Sequence, residues 1–288
     1  MAEILYGKPV ADEISKKTEE RAVALKGKGT APTLAVLRVG EREDDLSYER
    51  GLTKRAEKTG IAVKVTALPE NVSEEEFFSV LEGLNADKNV HGILMFRPLP
   101  AHIDGEKARK MLVAEKDIDG CTDLSLAGVF TGKPLGFAPC TAEAAMEILH
   151  YYGVCISGKK VAVLGRSLVV GRPLAMMLMH ENATVTVCHT RTVDVPSVTR
   201  GADIIIAATG QMESVGKEYL REGQTVIDVG ISWSSEKNKL CGDVLFEDAE
   251  KTVGKITPVP GGVGSVTTSI LMAHVAEAAE RQTDNYEI

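Results

Sequence analysis

No apolar run in these 288 residues approaches the roughly 20 that a bilayer span needs, so a membrane protein is not expected. Basic charge is also short. Lys and Arg number 33 against 41 Asp and Glu, for a net charge of −8, and no basic run stands out, so nucleic acid is not an expected partner. Cysteine is sparse and irregular. Cys121, Cys140, Cys155, Cys188 and Cys241 are odd in number and hold no C-x-x-C spacing. That argues against a disulfide frame or a zinc site and points to a reducing cytoplasm. His91, His102, His150, His180 and His274 likewise lack metal-ligand spacing and read as structural or surface groups. No metal is expected. Acidic Glu3 and the lack of an apolar h-region give no sign of a secretory leader. Internal repeats and low-complexity segments are absent too.

What is present is an ordinary globular composition. It is 44% hydrophobic and 26% charged, enough to bury a sizeable core, in a chain long enough for two domains. The most informative stretch is residues 158–192. Residues 161–164 form a short apolar run suited to a buried parallel strand. Gly165-Arg166-Ser167-Leu-Val-Val-Gly171 is the turn that follows, and Pro173 fits the first turn of a helix running through Leu178. Residues 183–188 alternate as the next strand. This βαβ unit presents backbone N–H groups and a helix N-terminus to an anion such as a dinucleotide pyrophosphate. The spacing is G-x-S-x-x-x-G, not G-x-G-x-x-G, so the local pattern also fits a tight turn without a ligand. Cys188-His189-Thr190-Arg191-Thr192 begins 23 residues after Gly165. An acidic residue there would hold a ribose 2′-hydroxyl. A hydroxyl and a guanidinium suit a 2′-phosphate, so NADP is expected, with NAD left open. Residues 202–210 and 225–231 are two more buried-strand patterns, each with a glycine at or near its end.

The upstream half alternates in the same way. A helix is expected over residues 8–28 and a strand over 33–39, closed by Gly40. Then come a helix over 46–59 with Gly60 as its cap, a strand over 62–68, a helix over 73–85 opening on Ser73-x-x-Glu76, and a strand over 91–96. The predicted fold class is α/β with two domains, each built on a parallel sheet. Residues 1–140 plus a returning C-terminal helix, 267–288, form one domain. Residues 141–266 form a Rossmann-type doubly wound sheet, with residues 131–139 as the hinge region. Four loops offer site material: residues 40–48, 97–100, 116–120 and 258–264. Asp117 and Asp119 suit a polar amine-bearing ring or, as readily, a solvated acidic turn. Tyr48 is either a stacking platform or a half-buried helix tyrosine.

Taken in order, Gly92-Ile-Leu, Pro98-Leu-Pro100, Lys116-Asp-Ile-Asp-Gly120, Pro139-Cys-Thr141, the VLGRSLVVGRP of residues 163–173, Gly242-Asp-Val244 and residues 259–264 resemble one family. It is the methylenetetrahydrofolate dehydrogenase/methenyltetrahydrofolate cyclohydrolase family, over nearly the whole chain. The resemblance implies a two-domain α/β chain paired as a homodimer. NADP or NAD would sit in the second domain and a tetrahydrofolate derivative in a cleft between the two. Gly165, Arg166, Ser167, Thr190 and Ile231 then match cofactor contacts, with Gly171 and Arg191 beside them at the same corner. Tyr48 matches a tyrosine stacked beside the folate, Asp119 the aspartate that holds the pterin, and Pro260 and Gly264 a loop closing over substrate. Pro98, Leu99 and Pro100 join the substrate side.

Departures fall at the chemical centre. The family pattern Y-V-x-x-K carries a catalytic lysine, whereas here Tyr48-Glu-Arg-Gly-Leu52 places leucine at that position. V-Q-L-P-L-P becomes Met95-Phe96-Arg97-Pro98-Leu99-Pro100, so Phe96 replaces a glutamine. Ser125 stands for an asparagine, and Gly264-Ser-Val-Thr267 for G-P-M-T. Three readings follow. One is a folate dehydrogenase with weak or absent cyclohydrolase activity. A second is the complete bifunctional enzyme, with Arg55 or a water network in the lysine's place. The third is a folate- or nucleotide-binding paralogue without chemistry. An altered, non-folate substrate is a further option that Phe96 favours.

Overall fold

The computed structural model describes residues 1–284 and divides into two compact units. One comprises Glu13–Ala138 with the chain from Thr268 onward, the other Met1–Asp12 with Pro139–Thr267. Residues 285–288, the end of the expected C-terminal helix, lie outside the described residues.

The first unit holds a three-stranded parallel sheet with Thr33–Val39 between Ala62–Leu68 and Gly92–Met95. Its central strand is closed to solvent at Leu34, Ala35, Val36 and Leu37, as a strand covered on both faces should be. The edge strand Ala62–Leu68 stays partly exposed along its length. The helices Glu43–Thr59 and Glu74–Ala86 carry the crossovers. Gly60 ends the former in the left-handed region at φ 71°, and the Ser73 side chain caps the latter by accepting from the Glu76 N–H at 3.1 Å. Phe77, Leu81, Ile93 and Met95 share one core with Ala35 and Leu37. Arg38, buried in the central strand, reaches Glu49 at 2.9 Å and fixes the helix that carries Tyr48. Lys116 is buried as well. Its ammonium donates to the carbonyls of Leu84, Asn85 and Asp87 at 2.7–3.2 Å, meeting the carbonyls a helix end leaves unsatisfied.

The second unit holds a six-stranded sheet. Its order is Glu3–Ile4, Lys255–Ile256, Thr225–Asp228, Ile204–Ala207, Lys160–Leu164, Thr184–Cys188, parallel throughout. The chain leaves Lys160–Leu164 to one side for Thr184–Cys188, then returns to its other side for Ile204–Ala207. A doubly wound sheet opens its ligand crevice at such a reversal.

Three expectations change. Residues 1–12 belong with the six-stranded sheet, because Glu3–Ile4 pairs with Lys255–Ile256. Two residues are too few to show a strand pattern. The helix expected from residue 46 begins at Glu43, so of residues 40–48 only 40–42 remain loop, and Tyr48 is on the helix as expected. Glu43, Asp44 and Asp45 suit a helix N-terminus electrostatically but are polar and break the apolar period. The last helix starts at Val263, four residues before the expected Thr267. Among the described residues no helix is long and apolar enough to cross a membrane.

Candidate functional site

In the second unit a cavity of about 360 Å³ opens at the C-terminal ends of Lys160–Leu164, Thr184–Cys188 and Ile204–Ala207. Gly165, Arg166, Ser167, His189 and Thr190 line it from the expected corner. Gly165 is required by geometry. Its φ is 121°, and a Cβ there would fall 2.1 Å from the Ala208 carbonyl oxygen. The Ser167 hydroxyl accepts from the Val170 N–H at 3.1 Å and holds the turn. His189 accepts from the Arg191 N–H through Nδ1 at 3.1 Å, and its own N–H donates to Thr192 Oγ1 at 2.9 Å. Three expected cofactor residues are placed differently. Gly171 is a packing glycine, since a Cβ on it would lie 2.1 Å from the Gly165 oxygen. Arg191 is exposed and Ile231 is 60% exposed, and neither is on the cavity wall. The wall also includes Val195, Thr209, Gln211, Ser214 and Tyr219. These follow strands without forming a motif, so only the strand-end rule pointed to them. Apolar walls at Leu164, Val195, Ala208 and Val215, with a guanidinium and hydroxyls beside them, fit a heterocycle carrying a phosphorylated ribose.

Two buried aspartates tie the strand-end loops of this unit together. Asp228 accepts from the N–H groups of Gly230, Asp243 and Val244 at 2.9–3.0 Å. Asp243 Oδ2 accepts from Thr209 and Gly210 at 2.6 and 3.0 Å. Its Oδ1 has no hydrogen-bond partner among the described residues. Burial pushes the Asp228 carboxyl up to about 7, against the pull of its N–H donors.

In the first unit Tyr48 is 40% exposed and its ring meets that of Phe96, centroids 5.7 Å apart. Leu52, Ala56 and Thr59 form the buried stripe of the same helix, and Leu52 is wholly enclosed. Phe96 is buried at the end of Gly92–Met95. Arg97 Nη2 donates to Asp119 Oδ2 at 2.9 Å. Burial raises the Asp119 carboxyl, Arg97 opposes that, and Asp117 adds to it. Asp117 itself is wholly enclosed, accepting from the Cys121 and Thr122 N–H groups and the Ser125 hydroxyl at 2.6–3.0 Å. It shapes the loop and does not face a ligand. Ser125 is part of that knot, also 3.0 Å from Thr122 Oγ1. Arg55 donates to Ser15 Oγ at 3.1 Å, so it is directed at the helix Gly7–Gly27; Lys54 is exposed. Pro98, Leu99 and Pro100 line a separate cavity of about 360 Å³ with Gly40, Glu41, Arg42 and Glu70. Pro260 and Gly264 lie in the other unit and are exposed, Gly264 in the first turn of Val263–Asp284. In the sequence Arg97 stands only at the head of a proline loop and in the Met95–Pro100 segment. Its partner lies 22 residues away, a pairing that no local pattern announces. Among the described residues no group of three His, Cys, Asp or Glu side chains is placed to hold a metal ion.

Known proteins resemble both units. Residues 5–119 match the catalytic-domain model of tetrahydrofolate dehydrogenase/cyclohydrolase, and residues 139–283 match its NAD(P)-binding-domain model. A relative from Carboxydothermus hydrogenoformans named bifunctional protein FolD is 49% identical over 281 residues, 97% of this chain and 98% of its own. The crystal structure of a Campylobacter jejuni bifunctional methylenetetrahydrofolate dehydrogenase/cyclohydrolase superposes with a TM-score of 0.94 at 37% identity, covering 98% of this chain and 99% of its own. A Trypanosoma brucei relative complexed with NADP and an inhibitor gives 0.92, also at 37% identity, over 98% of both chains. With both domain models matched in order across nearly its whole length, the chain belongs to the tetrahydrofolate dehydrogenase/cyclohydrolase family.

Proposed function

We propose that the chain oxidises methylenetetrahydrofolate to methenyltetrahydrofolate with NADP as hydride acceptor, and that it hydrolyses the methenyl product weakly or not at all. The observation that carries this is Leu52, fully enclosed four residues along the helix from Tyr48, with Phe96 against the Tyr48 ring. The cavity beside Gly165 and Thr190 supports a dinucleotide, and Arg166 and Thr190 there suit a 2′-phosphate. Bound there, a nicotinamide would supply the carbon that accepts the hydride. The chain's own part in oxidation is to hold two rings in register, with Tyr48 as platform and Asp119 as acceptor for the pterin edge; such alignment lowers a barrier by several kcal/mol. Pro98, Leu99, Pro100, Pro260 and Gly264 are proposed on the substrate side.

Hydrolysis asks for more. A water must lose a proton and an amine must be released, steps that a positioned acid or base accelerates by roughly 10²–10⁴-fold. Leucine and phenylalanine carry no such proton. The relatives' names favour a second reading, the complete bifunctional enzyme. Arg55 is a poor candidate for the missing group, since it is bonded to Ser15 and a guanidinium offers donors but no acceptor. The test supplies methylenetetrahydrofolate with NADP or NAD and follows nicotinamide and methenyl absorbance together. Both signals should grow, with methenyl decaying no faster than it does spontaneously. Decay at the rate of a lysine-bearing relative would establish the second reading instead. Folate binding with no nicotinamide reduction would leave a paralogue without chemistry. A homodimer in the cytoplasm completes the proposal, on the family resemblance.

A further inference from the structure

Of the two carboxylates in Lys116-Asp-Ile-Asp-Gly120, only one is available to a ligand. Asp117 is closed off by two backbone N–H groups and the Ser125 hydroxyl. Asp119 is only part-buried, and its Oδ2 accepts from Arg97. A carboxylate offers about four lone-pair sites, so one guanidinium bond leaves acceptor capacity in hand. Arg97 follows Phe96, whose buried ring meets Tyr48, so a fixed backbone end carries the guanidinium to the Asp119 carboxylate. Arginine keeps its proton across the working pH range. It can fix and orient a neighbour but cannot shuttle a proton.

We propose that Arg97 is the positioning residue of this pocket, holding Asp119 as an ionised, aimed acceptor for the amine-bearing edge of a folate ring. The proposal rests on the folate reading above. Without Arg97, Asp119 would face burial and the negative Asp117, with His274 on the favourable side. His274 is itself engaged, its Nδ1 lying 2.8 Å from the Ile118 carbonyl oxygen. A carboxyl that takes up a proton loses acceptor capacity and becomes a donor facing donors.

The experiment compares the full-length wild type with Arg97→Leu and Arg97→Lys. Aspartate carboxyl carbons are followed by NMR from pH 4 to 9 without folate, with Asp119→Asn to assign the signal. Steady-state kinetics with methylenetetrahydrofolate and NADP are then run over the same variants. In Arg97→Leu the Asp119 titration should move upward. Its KM for folate should rise roughly tenfold, the low end for a lost charge-assisted bond at a partly solvated site. The KM for NADP should stay put, kcat should change less than the folate KM, and the acid limb of kcat/KM should move to higher pH. Arg97→Lys should restore most of this, and it guards against misfolding of the leucine variant. An unmoved Asp119 titration in Arg97→Leu overturns the proposal, as does an unmoved folate KM. A wild type that reduces no NADP with methylenetetrahydrofolate sinks the folate reading instead; the carboxyl titration, read without folate, still decides whether Arg97 governs Asp119.

Discussion

At position 52 a fully enclosed leucine serves packing; under the proposed function, water addition would need an amine there. Installing Leu52→Lys together with Phe96→Gln should speed methenyl hydrolysis by roughly 100-fold over the wild type, read as decay of methenyl absorbance. The same pair should lower the melting temperature, because an ammonium replaces a fully buried leucine. Asp228 makes a separate, pH-dependent prediction. Its folded-state carboxyl is raised to about 7 by burial. The folded chain therefore keeps a proton that the unfolded chain releases above the ordinary aspartate value near 4. This contribution is fully present below about pH 4 and is lost as pH rises toward 7. Urea midpoints of the wild type should accordingly fall relative to Asp228→Asn between pH 5 and 8. Parallel curves would show that Asp228 does not hold the proton. The comparison with Asn removes the opposing contribution of His91, whose buried ring is held below its usual value.

Among the elements, Gly171 is the sharpest case of sequence chemistry fixing a backbone contact. Alanine there would press its methyl to 2.1 Å from the Gly165 oxygen, forcing apart the strand-end turn and the helix Gly171–His180. Gly171→Ala should raise the KM for NADP while leaving that for folate near wild type, and should lower the melting temperature. A KM unchanged for both would show that the turn is free to shift. Legibility in the sequence varied with the physics of each element. Thr33–Val39 and Ala62–Leu68 were placed to the residue, because an apolar or alternating run bounded by polar groups and glycine has sharp ends. The starts of Glu43–Thr59 and Val263–Asp284 were missed, since polar or glycine-bearing first turns carry no apolar period. The hairpin Ser232–Ser234 with Lys239–Cys241 was missed for its shortness. Of the cavity wall, Gly165, Ser167 and Thr190 are legible from the strand–turn–helix grammar. Arg97 on Asp119 and Asp243 beneath Thr209 and Gly210 were not, because both join distant segments.

At the scale of the whole molecule, a net charge of −8 favours keeping copies apart until a specific surface brings them together. Sedimentation equilibrium should nonetheless report about twice the 30.9 kDa of one chain; a single-chain mass across micromolar concentrations would rule the homodimer out. Glu3–Ile4 finds its neighbour Lys255–Ile256 only about 250 residues later. Gly92, in the other unit, packs against Val275 near the chain's far end. The six-stranded sheet cannot close, nor can the last helix cover Gly92, while most of the polypeptide is still being made, at roughly 5–20 residues per second. Nascent chains stalled on the ribosome before residue 255 should therefore stay open to protease, and their exposed strands would depend on chaperones until synthesis ends.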